Sequence, residues 1–281
     1  MFERMRDLHE FLEEDIGCGD ITSEALVPDV IVRAEIIAKQ DCVVAGMEVA
    51  REIFKHQGLD VKILVEDGQT ASKGTRVMEI KGQAKALLRS ERLALNFIMR
   101  LSGIATITRE LVDNCRKINP KIRIAATRKT TPGLRKLEKD AVELGGGIRH
   151  REGLYDQYLI KDNHLRMVCS ITEAVGKARA HAKSDIVEIE VVDIAGAEEA
   201  ANASANIIML DNMQPAMARE AAGKIRKINP KIIIEISGGI TPDNIREYAE
   251  FAEVISLGWL THSVRAMDYS LEIYEVNSVQ K

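Results

Sequence analysis

Eight Lys and Arg side chains fall between Arg128 and Lys161: Arg128, Lys129, Arg135, Lys136, Lys139, Arg149, Arg151 and Lys161. Only five Asp and Glu lie among them, in a chain whose formal net charge is -4. The cations sit beside Gly, Thr and Pro, residues that mark the edges between strands and loops. Such a cluster suits an anionic ligand, and the stretch reads as the floor of an anion-binding active site. Arg128 and Lys129, together with Arg149–Arg151 around a Gly-rich turn, suit planar carboxylates, because a guanidinium fork bonds both oxygens. His150, between two arginines, is either a neutral hydrogen-bonding group or a structural cap. Lys161 follows the apolar run Tyr158–Ile160, which buries its stem and turns its ammonium to the opening. Two chemistries stay open for it: a point charge for phosphate, or a Schiff-base nucleophile.

Carboxylates follow farther along. Glu188 and Glu190 share one face of an apolar run, Asp211-Asn212 closes the next, and Glu235 stands just before Ser237-Gly238-Gly239. Glu190 and Asp211 on neighbouring strand ends suit Mg²⁺, which keeps several waters and leans on substrate phosphates. The alternative is an ion pair with one of the cations. Ser237-Gly238-Gly239-Ile240-Thr241-Pro242 reads as a strand, a Gly turn and a helix starting at Pro242 with Thr241 as its cap. Backbone N–H groups freed there can cradle a phosphate. Gly258, ending the last apolar run, matches the phosphate site common in α/β barrels. Asp20 reads as an Asx-turn residue or, less simply, as a functional carboxylate.

The elements that must position these groups show a clear rhythm. Six short β-branched runs cover 122–127, 158–162, 185–192, 206–211, 231–237 and 253–258, with starts 36, 27, 21, 25 and 22 residues apart. Helical segments lie between most of them. Such alternation predicts an α/β fold with a parallel sheet, and near-continuous apolar strands are what a sheet covered on both faces requires. The count falls short of eight, so the expectation is an incomplete (open) parallel α/β barrel. Functional residues of such barrels gather at the C-terminal strand ends. Here nearly every run ends in a chemically capable side chain, which forms a ring around one opening. Before residue 85 the chain reads as an amphipathic helix over 1–15 with Phe2, Met5, Leu8, Phe11 and Leu12 on one face, then short strands and a helix over 48–56: an N-terminal α/β sandwich domain. A long helical pattern runs from Lys85 to Ile118, with Ser102-Gly103 offering a break or kink. Arg92 lies on it and reads by periodicity as a solvated helix-face arginine.

Bulk properties narrow the function classes. The 281 residues are 46% hydrophobic and 29% charged, which supports a sizeable core rather than disorder. A pI near 6.0 and 4% aromatic residues give no reason to expect nucleic acid or an anionic membrane as partner. No run of about 20 apolar residues is present. The four cysteines form no CxxC, and the N-terminus has no apolar secretory region, so a reducing, cytoplasmic location is expected.

The stretches EDIGCGDIT (14–22), ERLALNFIMRLSGIAT (91–106), the 40-residue block from Ala125 to His164, EIEV (188–191), IMLDNM (208–213), EISGGI (235–240) and ISLGWLTHS (255–263) together closely resemble the quinolinate phosphoribosyltransferase family. The resemblance implies residues 1–110 as the sandwich domain, its last part a linking helix, and 111–281 as the barrel. A tail from about 265 packing back on the first domain goes with that reading. It implies transfer of phosphoribosyl from phosphoribosyl pyrophosphate to quinolinate, giving nicotinate mononucleotide, pyrophosphate and CO₂, with Mg²⁺. By position, Arg128, His150 and Arg151 would hold the quinolinate carboxylates, with Lys129 and Lys161 at the reacting centre. Glu190 and Asp211 would hold Mg²⁺ and the ribose hydroxyls; Ser237, Gly238, Gly239 and Gly258 would hold the 5-phosphate. A homodimer is implied too, with Arg92 reaching in from the partner subunit, which reverses its helix-face reading. The residues alone also admit a homologue acting on another acid, a Schiff-base lyase on Lys161, and a non-catalytic phosphate-binding barrel.

Overall fold

The computed structural model describes residues 5–181 and 186–278. Phe2 and Asp185, each assigned to an element above, lie outside them, as do the last three residues of the tail. The chain divides into two compact units, one of residues 1–107 and 264–281 and one of residues 108–263.

The first unit begins with α1 (Met5–Ile16) and α2 (Ile21–Leu26), then β1 (Val30–Ala38), β2 (Cys42–Val43), α3 (Met47–His56), β3 (Asp60–Ile63), β4 (Thr70–Ala71) and β5 (Arg76–Gln83). The short helix α2 was not anticipated. Asp20 starts it, its carboxylate accepting a hydrogen bond from the Ser23 N–H at 3.0 Å, so Asp20 is a helix cap rather than a free carboxylate. Strand β1 is central: it pairs with β5 and with β12 (Tyr269–Ser278), all antiparallel, in a sheet of order β12-β1-β5-β3. Its Val32, Ala34, Ile36 and Ala38 are buried at every second position, which is the half-covered sheet that alternation specifies.

Helix α4 (Ala84–Arg116) follows and runs 33 residues without a break, about 50 Å at 1.5 Å per residue. The helix does not break at Ser102-Gly103. Gly103 serves close packing instead: a Cβ there would lie 2.4 Å from the Arg265 carbonyl oxygen. The neighbouring Ser102 hydroxyl is within 3.1 Å of the Tyr269 hydroxyl.

The second unit contains β6 (Arg123–Ala125), α5 (Arg135–Leu144), β7 (Tyr158–Ile160), α6 (Asp162–Leu165), α7 (Ile171–His181), β8 (Val187–Val191), α8 (Ile194–Asn202), β9 (Ile207–Asp211), α9 (Pro215–Ile228), β10 (Ile233–Ser237), β11 (Val254–Ser256) and α10 (Trp259–His262). The six expected strands form one sheet of order β6-β11-β10-β9-β8-β7, every pair parallel. All five residues of β8 and the first four of β9 are buried. Helices α8 and α9 bury alanines: Ala197, Ala200 and Ala201 on one, Ala218, Ala221 and Ala222 on the other. Small side chains let such helices approach closely. The barrel is open: β6 and β7 do not pair, and only Ile148 adds a one-residue parallel bridge beside Ala125.

The helix expected from Pro242 does not form. A turn and a single 3₁₀ turn, Ile245–Glu247, stand in its place. The Asn244 side chain accepts from the Thr241 N–H at 2.9 Å and donates to the Gly239 carbonyl at 3.0 Å. It thereby takes local backbone groups and favours a turn over a helix start. Among the described residues no helix is long and apolar enough to cross a membrane.

Candidate active site

A cavity of about 480 Å³ opens within the barrel unit. Strand geometry explains its lining, since alternate side chains share a face. Leu159 and Lys161 follow along β7, Met209 and Asp211 along β9, Glu235 and Ser237 along β10, Ser256 and Gly258 from β11, and Ala126 and Arg128 just beyond β6; Glu190 enters from β8. In register, Ser237 sits opposite Asp211, and both Glu190 and Glu235 sit opposite Met209. Carboxylates and hydroxyls from adjacent staves therefore come together at the strand ends.

Of the expected site residues, Arg128, Lys129, His150, Arg151, Lys161, Glu190, Asp211, Ser237, Gly238, Gly239 and Gly258 all line this cavity. Arg92 does not; it lies on α4 in the first unit and is exposed. Four of the eight cations counted between Arg128 and Lys161 do not line it either. Lys136 is exposed, while Arg135, Lys139 and Arg149 bond to the loop that carries His150. The basic stretch from Arg128 to Lys161 is thus half site and half support.

The basic side is built on two loops. Arg128 and Lys129 follow β6, where the Thr261 hydroxyl of α10 donates to the Lys129 carbonyl at 2.7 Å. The Nε of Arg128 is buried and makes no hydrogen bond among the described residues, so it retains bonding capacity for a ligand. Arg151 is 7% exposed. Burial, and then the Arg128 guanidinium, depress its pKa. A buried guanidinium beside a half-buried one makes a strong anion site.

His150 adopts a left-handed backbone, φ 54°, uncommon for a residue with a Cβ. Its Nε2 lies 3.1 Å from Glu235 Oε2 and 3.5 Å from Glu188 Oε2. Both carboxylates are almost fully buried, and one oxygen of each has no hydrogen-bond partner among the described residues. Burial, and then the charge of Glu235, push Glu188 up to about 9, so it carries a proton near neutral pH. The sequence showed Glu188 and Glu235 on strand faces but assigned them no role. The available signal was an acid at an inward position of a strand otherwise apolar on both faces, because such acids are buried only with a partner.

His150, Glu188 and Glu235 have ligating atoms within 4.8 Å of one another. Glu190 and Asp211 are better suited to magnesium: both are oxygen donors at the cavity surface, with room for the waters that Mg²⁺ keeps. The ion-pair alternative is also realised, since Lys161 Nζ lies 2.5 Å from Glu190 Oε2. An ammonium held on a carboxylate acts as a fixed charge, which weighs against the Schiff-base reading of Lys161. The strand also ends sooner than expected: Lys161 is the N-cap of α6, and Asp162, Asn163 and His164 are exposed.

The glycine turn is set by contacts from β9. Gly238 and Gly239 both have positive φ, 79° and 63°. A Cβ on Gly238 would lie 2.5 Å from the Asn212 side chain and 2.6 Å from an Asp211 carboxylate oxygen. Asn212, itself at φ 53°, donates through its backbone N–H to the Ser237 carbonyl at 3.0 Å. Among the described residues the N–H groups of Gly238, Gly239 and Ile240 have no backbone acceptor and are available to an anion. Gly258 makes room for the Lys129 stem, whose Cδ would lie 2.6 Å from a Cβ there.

Residues 20–102 match the quinolinate phosphoribosyl transferase N-terminal domain and residues 104–272 match its C-terminal domain. A protein of Methanothermobacter thermautotrophicus named probable nicotinate-nucleotide pyrophosphorylase (carboxylating) is 44% identical over 95% of this chain and 97% of its own length. The nicotinate-nucleotide pyrophosphorylase (carboxylating) of Mycobacterium leprae is 38% identical over 97% of this chain and 98% of its own. Among solved structures, the nicotinate-nucleotide pyrophosphorylase of Francisella tularensis superposes with a TM-score of 0.90 at 36% identity, covering 96% of this chain and 95% of that one. With an open barrel, a cavity that gathers cations beside carboxylates, and matches in both domains over nearly its whole length, the chain belongs to the quinolinate phosphoribosyl transferase family.

Proposed function

We propose that this protein transfers the phosphoribosyl group of phosphoribosyl pyrophosphate to quinolinate, releasing pyrophosphate and CO₂ and forming nicotinate mononucleotide, a step of NAD biosynthesis. The observation that carries this is one cavity lined both by Arg128, His150 and Arg151 and by Glu190, Asp211 and the Ser237–Gly239 turn.

Arg128, His150 and Arg151 hold the two carboxylates of quinolinate and present its ring nitrogen to C1 of the ribose. The turn at Gly238-Gly239 and the room beside Gly258 take the 5-phosphate. Glu190 and Asp211 face the ribose hydroxyls and are the residues that would hold Mg²⁺. Magnesium, when bound, adds positive charge against the departing pyrophosphate. Lys129 and Lys161 supply charge of the same sign near the reacting centre, while the carboxylates tolerate the developing sugar cation. The nitrogen attacks C1 and pyrophosphate leaves with the electron pair of the broken bond. The carboxylate next to the nitrogen then leaves as CO₂, because the cationic ring accepts its electrons, and the ring carbon takes up a proton. No strong base is needed, and the protein contributes chiefly positioning.

A homodimer completes the reading, with Arg92 entering the acid pocket from a second copy. The four cysteines are free, which supports a reducing, cytoplasmic compartment.

Pyrophosphate release should require quinolinate and be absent with nicotinate or with no acceptor. Arg128→Ala should fold normally and lose at least about 100-fold in kcat/KM, as expected when a charged contact to substrate is removed. Wild-type turnover in Arg128→Ala would sink the carboxylate-clamp assignment.

A further inference from the structure

Lys139 is fully buried on α5 and does not line the cavity. Its Nζ donates to the Arg149 carbonyl at 2.6 Å and to the Arg151 carbonyl at 2.5 Å, the two carbonyls that flank His150. Taking an ammonium out of water is costly, and burial depresses the pKa of Lys139, opposed most by Glu152. The same helix grips the same loop along its length. Arg135 donates to the Glu152 carbonyl at 3.1 Å, and the Arg149 guanidinium bonds to the Asp140 and Glu143 carboxylates. Positions 135, 139 and 143 are four residues apart and share one helix face.

We propose that Lys139 is a positioning residue of the acid-binding wall: its ammonium fixes the backbone on both sides of His150 and so sets where His150 and Arg151 meet the acid substrate. The strained left-handed backbone of His150 needs such over-determination. Glu235 holds the ring end of the same residue, so His150 is fastened at both ends by groups of opposite charge. The phosphoribosyl side lies on β8, β9, β10 and β11, which Lys139 does not contact through any hydrogen bond found among the described residues. The effect is therefore confined to one substrate. This proposal rests on the reading of Arg128, His150 and Arg151 as the quinolinate clamp.

The test is steady-state kinetics of the full chain with each substrate varied separately. Lys139→Met keeps the stem and removes the ammonium. It should raise KM for quinolinate at least about tenfold and change KM for phosphoribosyl pyrophosphate by less than about twofold. Lys139→Gln, whose amide can still donate to a carbonyl, should recover part of the loss. Should Lys139→Met fail to fold, Arg149→Gln frees the same loop from its outer anchors and should shift the same KM alone. Equal shifts in both KM values, or no shift for quinolinate, overturn the proposal. Arg128→Ala in the same assay separates the causes. If it raises KM for quinolinate where the Lys139 variants do not, only the positioning role falls; if it too leaves that KM unchanged, the clamp reading falls with it.

Discussion

Glu188 and Glu235 meet at the same nitrogen of the His150 ring, and the ionisation of Glu188 is linked to folding. Glu188 titrates near 9 in the folded chain and ordinarily at 4.5. Between those values the folded state keeps a proton that the unfolded chain has released. Stability contributed at that site is therefore full below about pH 4.5 and falls as pH rises towards about 9. Glu188→Gln removes the proton requirement and leaves an amide oxygen that can accept from Gln157, now bonded to Glu188 at 2.6 Å. Its melting temperature relative to wild type should rise steadily from about pH 5 to about pH 9. A difference that stays constant over that range would show that Glu188 holds no proton. This cluster also marks where reading from sequence stopped. His150, Glu188 and Glu235 are far apart along the chain, and no local spacing brings them together. The cations of 128–161 were visible as a group, but which of them face the cavity is decided by contacts of α5 with the loop at 149–152.

The elements themselves were more legible. Each barrel strand is a short, nearly unbroken apolar run, and burial on both faces of a parallel sheet leaves that mark in sequence. The period of two then places strand-end chemistry on one side. What failed was decided by side chains acting on backbone: Asn244 converting an expected helix into a turn, and Asp20 starting an unexpected one. Gly103 belongs with them, because a glycine inside a helical pattern does not say whether it bends the helix or admits a neighbour. The Arg265 carbonyl gives the answer. Gly103→Ala should therefore destabilise by about 1–3 kcal/mol, the usual cost of overpacking, despite better helix propensity. Gly223 on α9 is the matched control: nothing lies within 4 Å of its missing Cβ. Gly223→Ala should stabilise by about 0.5–1 kcal/mol. Urea denaturation with unchanged m-values would measure both.

For the whole molecule, the deciding question is the proposed entry of Arg92 from a second copy. If Arg92 serves the partner's cavity, Arg92→Ala and Arg128→Ala should each be nearly inactive, yet regain activity when mixed and allowed to exchange subunits. In a two-fold dimer each hybrid has one intact site, so a random mixture should approach about a quarter of wild-type activity. No recovery under demonstrated exchange would place Arg92 in its own subunit's site or in none. The open barrel has a further consequence. From Ile148, bridged to β6, the chain runs to Tyr158 at the start of β7 without joining a strand. Register is fixed by pairing, so a segment outside the ladder can change length and sequence without slipping any stave. Because His150 and Arg151 ride on that segment, a change in it that keeps the bonds from α5 would move these two side chains without shifting any strand of the sheet.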